Sequence, residues 1–301
     1  MKMPGNANDE DIVMSLEDIG VTYRRRAGPL RRVRHDALRG VSLNLRRGES
    51  LGVVGSNGAG KSTVLKVLGG GVRADRGEFV NHGSSTALLS SDLGLDLDRT
   101  GRQNAVLSAL SMGFRRDRIE RSLEEIITFS ELGGFIDYPL RMYSTGMRTR
   151  LTFSVVIQLD PDILLVDEML AAADTEFQRR IRAELERRIG SNKSMVLVSH
   201  DSDPIRRLTH RVLWLEDGRS LVEGHPESIV RAYEAYMTLS PEAQRTFLGM
   251  HRQLDTRAFG DRLPDRLRKI IETLAERDTL HPDAGETTLP SPGTGSTPDA
   301  R

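Results

Sequence analysis

Gly55-Ser56-Asn57-Gly58-Ala59-Gly60-Lys61-Ser62-Thr63 fits the pattern G-x-x-x-x-G-K-S/T with nothing left over. The residues before it, Leu51-Gly52-Val53-Val54, form an apolar run that reads as a buried strand. Those after it open a helical pattern at Lys61, carry Val64, Leu65, Val67 and Leu68, and end in Gly69-Gly70-Gly71. Strand, glycine loop and helix is the context that gives this motif its chemistry. The glycines let backbone N–H groups wrap phosphate oxygens, and the positive end of the helix dipole adds to the attraction. Lys61 brings a mobile positive charge to the outer phosphates, and the Ser62 hydroxyl is placed to ligate magnesium. A glycine-rich turn that binds nothing would not need Lys61 and Ser62 in that flank. The stretch reads as a nucleoside-triphosphate site.

Two more apolar runs, Ile163–Val166 and Met195–Val198, are nearly unbroken. Strands covered by helices on both faces look like this, which predicts a mostly parallel core sheet. Between them Phe177, Ile181, Leu185 and Ile189 recur at four-residue spacing, one buried stripe on an otherwise charged helix. Residues 12 to about 54 alternate apolar and polar positions, as in Val41-Ser42-Leu43-Asn44-Leu45, and predict antiparallel strands. A basic loop with Arg24, Arg25, Arg26, Arg31, Arg32 and Arg34 is expected among them. It reads either as a solvated hairpin loop or as a contact for anionic headgroups, a diphosphate-linked lipid or a membrane partner. Residues 102–142 read as a mainly helical insertion. Asp217-Gly218 between Val212–Leu215 and Leu221-Val222 is a hairpin signature. Two helices are expected after it, one following Pro226 and one following Pro264 with a Leu267, Ile270, Ile271, Leu274 stripe. From His281 onward Pro, Gly, Ser, Thr and Asp dominate, and disorder is expected.

Composition bounds the function. Lys+Arg and Asp+Glu balance at 43 each in 301 residues, so no global field steers the chain to nucleic acid or anionic lipid. With no cysteine, disulfides and thiolate metal sites are excluded and a reducing cytoplasm is expected. No apolar run reaches the roughly 18 residues of a membrane helix. The segment from Met1 to Asp11 is polar and acidic, without a signal-peptide core. Membrane work would need other chains to do the spanning.

Downstream elements complete the site. Ile163–Val166 ends in Asp167-Glu168, and acids at the C-terminal end of a parallel strand point into the crevice where such sheets bind ligands. Asp167 is the expected partner of magnesium, and Glu168 can polarise an attacking water. Met195–Val198 leads to Ser199-His200, which places His200 as a γ-phosphate sensor. Ser144 is an N-cap candidate before Arg148–Phe153, and with Gly146 it marks a second anion-binding helix end. One nucleotide does not need two such ends in one subunit, so the second is assigned to a partner's nucleotide.

With these four elements quoted, the chain resembles the ATP-binding-cassette (ABC) ATPases over about residues 12–236. Walker A (Gly55 to Ser62), signature loop (Ser144 to Met147), Walker B (Ile163 to Glu168) and switch histidine (His200) stand in the family's order. The resemblance implies an α/β fold: a P-loop NTPase (RecA-like) core with a mostly parallel sheet, an antiparallel β subdomain and an inserted helical subdomain at about 102–150. It implies a cassette at 12–236, and the sequence pattern outside it leaves a flexible 1–11, a helical extension at 237–280 and a disordered 281–301. It assigns nucleotide contacts to Tyr23, which stacks on adenine, to Gly55, Ser56, Asn57, Gly58, Ala59, Gly60, Lys61, Ser62 and Thr63, and to Ser144, Gly146 and Asp174. Catalysis falls to Glu168, His200 and Lys61, and magnesium to Ser62, Asp167 and Ser90. ATP and Mg2+ are the implied cofactors. The implied partners are a second copy, in a head-to-tail ATP-sandwich dimer, and integral membrane permease subunits at the cytoplasmic face; no direct nucleic-acid contact is expected.

Thr100–Asn104, Leu132–Asp137, Tyr143–Met147, Ala173–Gln178 and Trp214–Gly218 look like the branch that exports capsular polysaccharide, O-antigen or teichoic acid. Where the family places Gln, or this branch Glu, counting back from Thr100 reaches Ser90. Either Ser90 works through a water, or Ser91 or Asp92 substitutes. The C-terminal region shows no strand alternation, so no β-sandwich recognising the glycan end is expected. Rivals are an exporter of drugs, lipids or peptides, a chromosome-associated ABC ATPase and a ribosome-associated one. The span from Ser90 to Ser144 leaves no room for long coiled coils, and there is one cassette where the ribosomal factors carry two.

Overall fold

The computed structural model describes residues 11–26, 32–89, 94–167, 174–199, 201–253 and 263–280. The first elements are β1 (Ile12–Arg26), β2 (Arg32–Arg46), β3 (Ser50–Val54), α1 (Lys61–Leu68), β4 (Arg76–Asn81) and β5 (Thr86–Leu89). A helical region follows, with α2 (Gly101–Ser111), α3 (Arg116–Ser130), two 3-10 turns (Gly133–Asp137 and Leu140–Met142) and α4 (Thr145–Leu159). The chain continues through β6 (Ile163–Asp167), α5 (Thr175–Arg188), β7 (Ser194–Val198), α6 (Ser202–Leu208), β8 (Arg211–Glu216) and β9 (Arg219–Gly224). It ends in α7 (Pro226–Met237), α8 (Pro241–Gln253) and α9 (Leu263–Leu280).

Six strands form one sheet in the order β5-β6-β7-β3-β8-β9. The first five run parallel, and β9 returns antiparallel to β8 through the Asp217-Gly218 turn. Strands β3 and β7 are buried along their whole length, the reason their sequences are unbroken apolar runs. A second, antiparallel sheet has the order β2-β1-β4.

Three apolar clusters follow from these layers. One lies on the sheet face covered by α5, α7, α8 and α9 and includes Phe177, Ile181, Trp214, Phe247, Leu267 and Ile271. A second fills the space between the two sheets and α1, with Leu16, Val41, Leu51, Leu65 and Val196. The third belongs to the helical region, with Ala105, Ile119, Ile126, Leu140 and Leu151. Among the described residues no helix is long and apolar enough to cross a membrane.

The structure departs from the sequence reading in three places. The arginines expected in a loop mostly lie in paired strands, with Arg24 opposite Arg34 and Arg26 opposite Arg32. Alternation through Val21, Tyr23, Val33 and His35 extends the ladder past the point where charge marks a loop. A further strand, β4, pairs with β1 from Met14↔Asn81 to Gly20↔Arg76. Its exposed Arg76, Gly77 and Glu78 hide it from an apolar-pattern search. Three helices, not two, follow the hairpin, because α8 starts at Pro241 with the Ser240 hydroxyl accepting from Ala243 N at 3.2 Å. Ser-Pro-Glu is a helix start by capping chemistry, with no long apolar stripe to announce it. The segments 1–10 and 281–301 lie outside the described residues.

Candidate nucleotide site

β3 carries the chain into the Gly55–Thr63 loop, and α1 begins directly after Gly60. Gly60 takes φ 108°, and a Cβ there would lie 2.7 Å from the Ala37 carbonyl oxygen. A Cβ on Gly55 would lie 2.0 Å from the Leu215 carbonyl oxygen. The loop therefore lies flat against β2 and β8, an approach that only glycine permits at these two positions. Gly218 N donates to Ala59 O at 3.0 Å, which ties the β8–β9 turn to the same loop.

Lys61 is 6% exposed, and its Nζ donates to Gly55 O at 2.7 Å and Ser56 O at 3.0 Å. The ammonium is thereby held inside the curve of the loop, where a phosphate chain would meet it. Ser62 Oγ lies 3.4 Å from Asp167 Oδ1, at the end of β6. A hydroxyl and a carboxylate oxygen suit a hard, oxygen-seeking cation. Among the described residues no group of three or more carboxylates or histidines gathers as a metal cage. Magnesium fits such a donor set, because it keeps waters and takes one or two protein oxygens together with substrate phosphates.

A cavity of about 300 Å³ opens beside the loop, lined by Tyr23, His35, Ala37, Asn57, Gly58, Gly60, Lys61, Ser62 and Thr63. The β1–β2 register sets Tyr23 opposite His35, so one strand pair supplies an aromatic ring and an imidazole to the rim. Tyr23 is 40% exposed, an open ring face beside the loop. His35 carries no motif that marks it in the sequence; the signal that points to it is its alternation with Ala37 on β2.

Ser144 caps α4, its Oγ accepting from Met147 N at 3.2 Å. It is exposed, and Gly146 has nothing nearer its Cβ position than Ser144 Oγ at 3.9 Å. Neither residue lines the cavity beside Lys61. Asp174 caps α5, its Oδ1 accepting from Phe177 N at 3.1 Å. Its Oδ2 accepts from Arg150 Nε at 3.0 Å and Nη2 at 2.7 Å. The Phe177 N–H and then the Arg150 guanidinium hold the Asp174 carboxyl below its ordinary pKa. Arg150 also donates to Glu131 at 2.6 Å and lies over the Phe177 ring at 5.1 Å. The helix carrying Ser144 is thus tied to the start of α5. Glu168, His200 and Ser90, with Ser91 and Asp92, lie outside the described residues.

Residues 38–171 match the family described as ABC transporter. The chain is 37% identical over 201 residues to the O-antigen export system ATP-binding protein RfbB of Klebsiella pneumoniae, covering 67% of this chain and 82% of that protein. The chain belongs to the ABC transporter family. It is also 37% identical over 201 residues to the teichoic acids export ATP-binding protein TagH of Staphylococcus epidermidis, covering 67% of this chain and 76% of that relative. Some relatives are longer: the match spans 47% of the RfbB protein of Myxococcus xanthus. The fold matches the dimeric ATP-binding cassette MJ0796 bound to ADP and phosphate, with a TM-score of 0.60 at 21% identity over 71% of this chain and 98% of that one. The α/β cassette fold expected from the loop, the mostly parallel sheet and the antiparallel strands is the fold of this family.

Proposed function

We propose that this chain is the ATP-hydrolysing subunit that powers a membrane permease exporting a lipid-linked polysaccharide or cell-wall glycan. The observation that carries the reading is the convergence of the Gly55–Thr63 loop and Tyr23 at one cavity, with Ser62 on its wall paired to Asp167, in a chain whose relatives are ATP-binding proteins of O-antigen and teichoic acid export.

In this reading the loop N–H groups and Lys61 bind the phosphates, and Tyr23 stacks on the base. Ser62 and Asp167 hold magnesium, which supplies charge neutralisation at the phosphates when bound. Glu168, next in sequence to Asp167, orients or deprotonates the attacking water, and His200 contacts the γ-phosphate. Ser90, next in sequence after β5, would be a further oxygen for magnesium. The exposed α4 N-terminus, outside the cavity, supports a head-to-tail pairing in which Ser144 and Gly146 of one copy meet the nucleotide of the other. Asp174, tied to Arg150 on that helix, sits beside this seam.

Exposed Leu97, Leu107, Leu110, Phe135, Tyr138 and Met142 in the helical region support a docking face for the permease. The subunit would then work peripherally at the cytoplasmic face of the membrane. Arg24 and Arg34 on the paired strand ends would lie toward anionic headgroups, each worth ~1 kcal/mol near such a surface.

The test is a pull-down of ATP-loaded Glu168→Gln protein from detergent-solubilised native membranes, with mass spectrometry of what co-purifies. A polytopic permease encoded beside glycan-synthesis enzymes supports export. Ribosomal or DNA-associated proteins without a polytopic partner overturn it and leave the ATPase standing.

A further inference from the structure

Glu216 closes β8 and is 5% exposed. A buried carboxylate is costly unless donors surround it, and the donors here are the Ser56 N–H, the Ser56 hydroxyl and the Trp214 indole. Ser56 N donates to its Oε2 at 3.1 Å, and the Ser56 hydroxyl donates to its Oε1. Trp214 Nε1 also donates to Oε2 at 3.4 Å. Among the described residues no cation pairs with it, and its carboxylate is satisfied by the phosphate-binding loop and the indole. Ser56 meanwhile accepts Lys61 Nζ on its carbonyl oxygen at 3.0 Å. The Gly55–Ser56 peptide is therefore held at both ends, by Glu216 at the Ser56 N–H and by Lys61 at the Gly55 carbonyl oxygen at 2.7 Å.

We infer that Glu216 is a positioning residue for the nucleotide site, setting through Ser56 where the Lys61 ammonium stands. The inference rests on the reading of Gly55–Thr63 as the phosphate-binding loop. Its physical content is preorganisation. With the Ser56 peptide fixed before nucleotide arrives, the loop and Lys61 lose less freedom on binding. The carboxylate is braced in turn: Phe247 of α8 stacks on Trp214 at 5.7 Å with the planes 13° apart, and the Tyr236 ring lies 5.2 Å away. The C-terminal helices thereby reach the nucleotide loop through one indole and one carboxylate. Sequence patterning does not reveal this, because an acid before Asp217-Gly218 reads as an ordinary hairpin residue.

The test titrates the full chain with the magnesium complex of AMP-PNP by calorimetry. It compares wild type, Lys61→Ala, Glu216→Gln, Ser56→Ala and the double Ser56→Ala/Glu216→Gln variant, each with its nucleotide-free melting temperature. The expected result is weakening of about tenfold in each Ser56 and Glu216 single variant, the scale of one charge-assisted hydrogen bond. The double variant should be no weaker than the singles, and the nucleotide-free melting temperature of Ser56→Ala should stay near wild type. Affinities equal to wild type in the singles, or losses that multiply in the double variant, overturn the inference. Should Glu216→Gln fail to fold, Ser56→Ala reads the same contact from the loop side: tenfold weakening supports it and unchanged affinity overturns it. Unchanged binding by Lys61→Ala is a different failure, that of the nucleotide-site reading itself.

Discussion

Ser62 Oγ and Asp167 Oδ1 lie 3.4 Å apart, which brings the first turn of α1 to the end of β6. Residues far apart in the chain meet because β3 and β6 flank β7 in the parallel sheet, so both strand ends open on the same edge. If this pair holds magnesium, Asp167→Asn should raise the magnesium concentration needed for half-maximal ATP hydrolysis by about 10–100-fold. Binding of metal-free ATP should change far less. A magnesium titration of hydrolysis, set beside ATP binding in EDTA, checks both halves.

Ser144 carries two separable duties, the helix cap seen in the structure and the proposed contact with a partner's nucleotide. Ser144→Asp retains a capping oxygen and adds a negative charge. Its melting temperature should match wild type while ATP-driven pairing and hydrolysis are lost. Ser144→Ala, which removes the cap, should cost about 1 kcal/mol of stability. Denaturant melts and size-exclusion chromatography with ATP separate the two duties.

Asp162 carries a pH-dependent contribution to stability. Burial alone would raise its pKa, but the Ser85 hydroxyl and N–H, then Lys193, outweigh that and hold it down to about 2. A depressed carboxylate stabilises the fold above its unfolded pKa and loses that contribution as pH falls through the folded one. The gap in melting temperature between wild type and Asp162→Asn should be full at pH 7. It should shrink as pH falls from about 4 toward 2. A constant gap across that window would show that Asp162 acts through packing and not charge.

The C-terminal helix α9 buries Leu267, Ile271 and Leu274 in the same cluster as Trp214 and Phe247. Ile271→Ala should therefore cost about 2–5 kcal/mol. Urea denaturation followed by the far-ultraviolet helix signal reads it, and a loss near zero would mean that α9 does not share this core.

Much of this was legible in the chain. Unbroken apolar runs at Leu51–Val54, Ile163–Val166 and Met195–Val198 are legible as buried parallel strands because helices cover both faces and no polar position interrupts them. The loop from Gly55 to Thr63 is legible because phosphate binding demands glycine, lysine and hydroxyl at fixed spacing. The β1–β2 register, which sets Tyr23 opposite His35, depends on register shifts between Leu16 and Thr22, and alternation alone does not reveal them. β4 is hidden by its exposed edge, α8 by its reliance on a cap, and the Glu216–Ser56 contact by the distance along the chain that separates its partners. Such contacts are properties of the fold, written in no local stretch.

A composite site requires that ATP assemble two copies of the chain around two nucleotides. Sedimentation velocity of Glu168→Gln with and without ATP measures this. The variant should bind ATP, hydrolyse it about 10²–10⁴-fold more slowly than wild type, and shift from monomer to dimer with ATP but not with ADP. A Glu168→Gln protein that binds ATP yet stays monomeric across the concentration range, or that hydrolyses at the wild-type rate, would contradict the composite site.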